Sequence, residues 1–215
     1  MKSLNLLLFS SLLLFNQKIY PQCSNPAGLE NDFGNSGSLI SYSDKYSDHI
    51  ASALTPDGDI VSVGLVDNGI QTSVFISKIH ANGTFNTTFG SGVGIVEVPS
   101  FIYATKTYSP VATDVVVLPN GNIAICGYSI EQATLDRQVM LILLSPHGGL
   151  TSMPTNIGVA GISFYKRAGS NLQYGKAIDI DAEGNIYIAA DYELSGMAQP
   201  SIWKIDPASA AVIAP

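Results

Sequence analysis

The chain has 215 residues, 46% apolar and only 13% charged, with a net charge of −7 from ten basic and seventeen acidic side chains. That is ample for a core and about half the charged share of an ordinary soluble domain, as in β-rich, turn-rich secreted proteins. The acidic surplus argues against nucleic acid or an anionic membrane as partner, since both need a basic surface.

Residues 1–22 read as a secretory signal: Lys2 is the short positive end and Leu4 to Phe15 an apolar run. That run is too short for a membrane anchor, which takes about 20 residues. The mature chain is therefore expected to be secreted or at the cell surface, without membrane insertion once the signal is removed. Acylation of Cys23 is disfavoured, because Gln22 stands where a small residue is wanted and Tyr20 where Leu is wanted. An oxidising compartment would permit a Cys23–Cys126 bridge. Cys126 reads better as a small buried apolar residue, because it occupies the strand position held elsewhere by Val63 and Ala189.

From residue 23 to 215 the chain reads as one repeat domain. Residues 29–41 give an N-terminal closing strand, Ser38 to Ser41, behind a Phe33-Gly34 loop, and three units follow near 42–98, 99–163 and 164–215. Each unit holds the same hairpin. It reads Thr55-Pro56-Asp57-Gly58-Asp59-Ile60-Val61, then Leu118-Pro119-Asn120-Gly121-Asn122-Ile123-Ala124, then Asp181-Ala182-Glu183-Gly184-Asn185-Ile186-Tyr187. The turn glycines recur every 63 residues. Each supplies the positive φ that a tight turn needs between alternating apolar strands. A first strand precedes the turn, at Ile50 to Leu54, Val115 to Leu118 and Ala177 to Ile180. A third follows at Val74 to Ile79, Val139 to Leu144 and Ser201 to Ile205. A second turn comes next, at Ala81-Asn82-Gly83, Pro146-His147-Gly148 and Asp206-Pro207-Ala208.

The fourth strand follows a separate signature, Phe89-Gly90-Ser91-Gly92-Val93-Gly94-Ile95-Val96, whose Phe reads as a plug anchoring the loop. Its next copy has decayed to Asn156-Ile157-Gly158 and Gly161-Ile162-Ser163. Ile60, Ile123 and Ile186 lie on one face of the second strands, and Val61, Ala124 and Tyr187 on the other. A sheet apolar on both faces must lie between neighbours. The expected fold is therefore all-β: a propeller-like array of four-stranded antiparallel blades, about three units and an incomplete ring, with an open sandwich as the alternative.

Phe-Gly-x-x-Gly, an apolar strand, then Pro-Asp-Gly or Pro-Asn-Gly before a strand ending in Gly resembles the delta-60 repeat of secreted bacterial proteins. The resemblance covers residues 29–150, and the third unit is closer to a general propeller repeat of the NHL kind. It implies a β-propeller and an extracellular location. It carries no catalytic residues.

Asp179-x-Asp181-x-Glu183-Gly184 alternates carboxylates before a glycine, as calcium-binding loops do, so Asp179, Asp181 and Glu183 are the candidate metal ligands and Ca²⁺ the candidate ion. A structural role is preferred for them, because Ala190 stands where the loop's last ligand belongs and the charges do not recur in the first unit. His49, His80 and His147 have no metal spacing. Gly90 to Gly94 leads into a strand, which rules out a phosphate cradle. Asn82-Gly83-Thr84 and Asn86-Thr87-Thr88 are glycosylation sequons only in a eukaryotic secretory route. Trp203 is expected to pack between blades. These residues predict a secreted, non-catalytic binding or scaffolding protein without cofactor, its partner a protein or glycan. The alternative is a propeller hydrolase or lactonase with a divalent ion in the central channel. The phase of the first and last strands further predicts self-association through an unpaired blade edge, either as a piece of a longer propeller or as two chains closing a six-bladed ring head to tail.

Overall fold

The computed structural model describes residues 32–35, 37–39, 45–67, 69, 71–151 and 159–213. The signal segment, Cys23, Asn156-Ile157-Gly158 and the end of the closing strand lie outside them. The fold is all-β, with no helix among the described residues, and its sheets form a propeller-like array. The first sheet runs β1 (Tyr46–Leu54), β2 (Ile60–Asp67), β3 (Thr72–Ile79) and β4 (Ile95–Val98). The second runs β5 (Phe101–Tyr103), β6 (Lys106–Val117), β7 (Ile123–Glu131), β8 (Arg137–Leu144) and β9 (Ile162–Tyr165). The third runs β10 (Gln173–Ile180), β11 (Ile186–Leu194), β12 (Met197–Asp206) and β13 (Ala211–Val212). All pairings between these strands are antiparallel.

The repeated turns form as their residues dictate. Gly58, Gly121 and Gly184 have φ of 85°, 81° and 86°, and each donates its N–H to the carbonyl three residues earlier. Two strands depart from the expectation. The second sheet has five strands because β5 returns into β6 through Ala104 and Thr105, both at positive φ. A hairpin turn without Gly, Asn or Asp leaves no signature, and Pro110 inside β6 hides the strand's length. The third sheet carries a short β13 where no further strand was expected. It pairs Ile205 with Val212, as Ile79 bridges Phe85 and Leu144 bridges Leu150, so it is the second turn's return and not a fourth strand.

One regularity was not read from the sequence. The first strand of every sheet is bulged, between His49 and Ala51, Ala112 and Asp114, and Gly175 and Ala177. The bulges recur with the 63-residue period. They explain the glycine of the repeat, which does not end its strand but lies inside β2 and β7. A Cβ on Gly64 would stand 2.0 Å from the Asp48 carbonyl oxygen, and one on Gly127 1.9 Å from that of Val111. The bulge pushes a backbone carbonyl into the space a side chain would occupy.

Each sheet has two faces, and the core lies between sheets. Val61, Val63, Val74 and Ile76 on the forward face of the first sheet pack against Ile123, Ile125, Met140, Ile142 and Leu144 on the rear face of the second. The forward face of the second sheet, with Ala124, Cys126, Val139, Leu141 and Leu143, packs against Ile186, Ile188, Ala190 and Ile205 of the third. Trp203 packs against this second cluster, its ring centroid 6.1 Å from that of Tyr165. Polar bonds pin the same junction: Thr113 Oγ1 donates to Gly175 O at 3.0 Å, and Asp114 accepts from Ile178 N at 3.0 Å.

The Phe-Gly loop ties one sheet to the next. Phe89 is fully buried, and Gly90 donates its N–H to the His147 carbonyl in the second turn of the second sheet. Gly34 does the same to the Asn82 carbonyl of the first sheet, so the N-terminal Phe33-Gly34 loop is seated as its repeat counterpart is.

Candidate functional site

The forward face of the third sheet is the open member of this series. Ile76, Leu141 and Ile202 hold equivalent positions in β3, β8 and β12. The first two are 0% exposed and Ile202 is 76% exposed. Ala189, equivalent to the buried Val63 and Cys126, is exposed as well. Together with Pro200 they floor an open groove of about 650 Å³. Ion pairs frame it, Lys176 with Asp191 at 3.9 Å and Lys204 with Asp181 at 3.2 Å. On its outer side β12 is paired, among the described residues, only from Lys204 to Asp206. In the other sheets β4 and β9 pair along the corresponding residues of β3 and β8.

The three candidate metal ligands sit at one end of this face and do not act together. Asp179, exposed on β10, accepts from the N–H of its neighbour Ile180 at 2.8 Å. Glu183 is exposed in the turn. Asp181 caps the turn, accepting from Asn185 N, Asn185 Nδ2 and Tyr187 Oη at 2.8–3.2 Å while pairing with Lys204. The Asn185 side-chain bond leads in holding its carboxyl well below the usual range, outweighing the upward push of desolvation with help from Lys204 and Tyr187. A carboxylate already satisfied by four partners serves the turn. Among the described residues no three His, Cys, Asp or Glu side chains are grouped so as to hold a metal ion.

A matching polar cluster in the first sheet was also missed. Asp59 accepts from Asn86 Nδ2 at 2.8 Å, lies 2.9 Å from His80 Nδ1 and pairs with Lys78 at 3.7 Å. Burial pushes the Asp59 carboxyl up, but the bonds from His80 and Asn86, aided by the charges of His80 and Lys78, hold it below its ordinary value. Thr55 and Asp181 are repeat equivalents, each accepting the N–H four residues on. Lys78 and Lys204 are also equivalent. The recurrence of a lysine beside a turn carboxylate in the first and third units was the available signal. Asn86 is buried with its amide donated to Asp59, whereas Asn82 is exposed.

His147 is exposed beside its turn, and exposed His49 lies 2.8 Å from Ser62 Oγ. The Cys126 thiol is buried and its pKa is pushed up to about 12 by desolvation, which keeps it inert. The chain thus presents an apolar sheet face with an ion pair at each end of its rim, and an Asp181 carboxylate engaged in its turn. No known protein family matches the chain, and no curated protein is similar to it.

Proposed function

We propose that the chain is a secreted, non-catalytic repeat protein, of the delta-60 kind its motifs resemble, that binds or scaffolds through the forward face of its third sheet. The observation that carries this reading is Ile202, exposed where its two repeat equivalents are fully buried. A bare apolar sheet face with a polar rim suits a protein surface. Its flatness and small floor residues suit a glycan less well. Two of the carboxylates a hydrolase could use are engaged elsewhere, Asp181 with Asn185, Tyr187 and Lys204, and Asp59 with His80 and Asn86.

The test has two parts. Fractionation of the native host should find the chain outside the cytoplasm, its N-terminus between residues 20 and 25; recovery with Met1 intact in the cytoplasm would refute secretion. Purified chain incubated with esters and lactones in the presence of Ca²⁺, Mg²⁺ or Zn²⁺ should show no turnover. Turnover that Asp181→Ala abolishes would replace the binding reading with the hydrolase one.

A further inference from the structure

We propose that two copies of the chain associate through the forward faces of their third sheets, as a closed two-fold pair; this rests on the reading of that face as a binding surface. The first argument is continuity. Twice in this molecule a forward face is buried by another sheet, and the third face continues the series with Ile202, Ala189 and Pro200 in the equivalent places.

The second argument concerns what a second copy can offer. Within the chain a forward face is covered by a rear face. The rear faces of the second and third sheets are already used. That of the first sheet is closed, with Phe75 and Ser77 fully buried and the His49 ring edge-on to Phe75 at 4.9 Å. Its composition is also wrong for a partner, since Ser62 and Ser77 stand where the second sheet has Ile125 and Ile142. Head-to-tail closure through that face would require it to open and would set hydroxyls against Ile202. Among the described residues, the apolar sheet face that remains open is the forward face of the third sheet itself.

The third argument is self-complementarity. Sheets pack face to face about 10 Å apart when large and small side chains alternate. Here Ile202 projects beside the small Ala177 and Ala189, so a two-fold axis sets the Ile202 of each copy over the alanines of the other. The rim pairs Lys176 with Asp191 at one end and Lys204 with Asp181 at the other, where Asp179 and Glu183 are also exposed, so the two-fold axis must set that acidic end against the Lys176 end of the other copy. An isologous contact closes at two copies.

Light scattering on the full chain should give twice the mass of one chain at high concentration, falling toward one chain on dilution. Ile202→Asp should give a single-chain mass throughout with an unchanged circular dichroism spectrum, since the side chain is exposed in the fold. In a Cys23→Ser background, Ile202→Cys should be joined to its copy by a bifunctional maleimide spanning about 10–15 Å, the reach that faces about 10 Å apart require, while buried Cys126 takes no part. A chain that is monomeric at all soluble concentrations overturns the proposal. So do association that survives Ile202→Asp, and oligomers larger than two that yield no 202–202 cross-link. Any of these leaves the binding reading standing, because only turnover or cytoplasmic retention refutes that one.

Discussion

Phe89 gives the sharpest test of how the sheets are joined. Its ring is fully buried between the first sheet and the second turn of the second sheet, over Gly148. Removing a buried phenyl ring loses its transfer free energy and leaves a cavity, together about 3–5 kcal/mol. That is a large part of the roughly 5–15 kcal/mol that holds a domain folded. Gly148 is the other half of the contact. Its φ is 86°, and a Cβ there would stand 3.0 Å from Phe89 Cε2 and 2.7 Å from Val96 Cγ2. Gly148→Ala should therefore cost about 1–2 kcal/mol for the left-handed backbone and more for the clash with the ring. In a double-mutant cycle the clash with the ring disappears once Phe89 is Ala. The pair should then be less destabilised than the sum of the singles by about 1 kcal/mol. Urea unfolding followed by circular dichroism supplies the free energies. Trp203, the chain's single tryptophan, reports the opposite junction by fluorescence. Coincident transitions would mean that the sheets melt as one. A Phe89→Ala variant within about 0.5 kcal/mol of wild type, or strict additivity, would refute the account of the loop as a clasp.

Gly127→Ala should cost more than about 3 kcal/mol in urea melts, because its Cβ meets a backbone carbonyl at 1.9 Å. Gly58→Ala, with no atom within 4 Å, should cost only the positive-φ penalty of about 1 kcal/mol. The Asp181 and Asp59 carboxyls are held below their ordinary values in the fold, so their contribution to stability is present above about pH 4 and is lost as pH falls below it. Melting temperatures from pH 7 to pH 2.5 should fall more steeply for wild type than for Asp181→Asn; parallel curves would contradict the role given to Asp181. Cys126 should resist a thiol reagent in native buffer and react at once in 6 M guanidinium; native reactivity would contradict its burial.

The repeat made most of the fold legible. A glycine every 63 residues, flanked by alternating apolar strands, gave the hairpins, the sheet count and the two-faced core, because each of those follows from local chemistry at Gly58, Gly121 and Gly184. β5 was not legible, since the Ala104-Thr105 turn is held by its place in the sheet and not by residues that prefer it. Nor were the bulges. They show in sequence only as Gly64 and Gly127, which read as strand ends but lie inside β2 and β7, and the reason for them appears only when the Asp48 and Val111 carbonyls are seen beside them. The carboxylates at 179, 181 and 183 looked like a calcium loop because alternate spacing is what a metal loop needs. The same spacing on a strand running into a turn leaves each side chain to a different task.

The polar departures from the repeat fall where the neighbours change. The second sheet, covered on both faces, keeps Leu118 and Leu143 where the first has Thr55 and Lys78 and the third has Asp181 and Lys204. A charge is tolerated at those positions only where solvent or a paired carboxylate can reach it, as Lys78 with Asp59 and Lys204 with Asp181 show. On the forward face of the third sheet the same substitution has gone further: Tyr187 replaces Val61 and Ala124, Pro200 replaces Val74 and Val139, and Lys204 replaces Leu143. A face adapted only to water would be expected to change at its centre as well. Ile202 stays aliphatic there and Ala189 stays apolar beside it, while the polar changes lie around them. An apolar centre kept inside a polar surround is the arrangement of an interface core and its rim, and it is the reason the proposed contact is centred on Ile202.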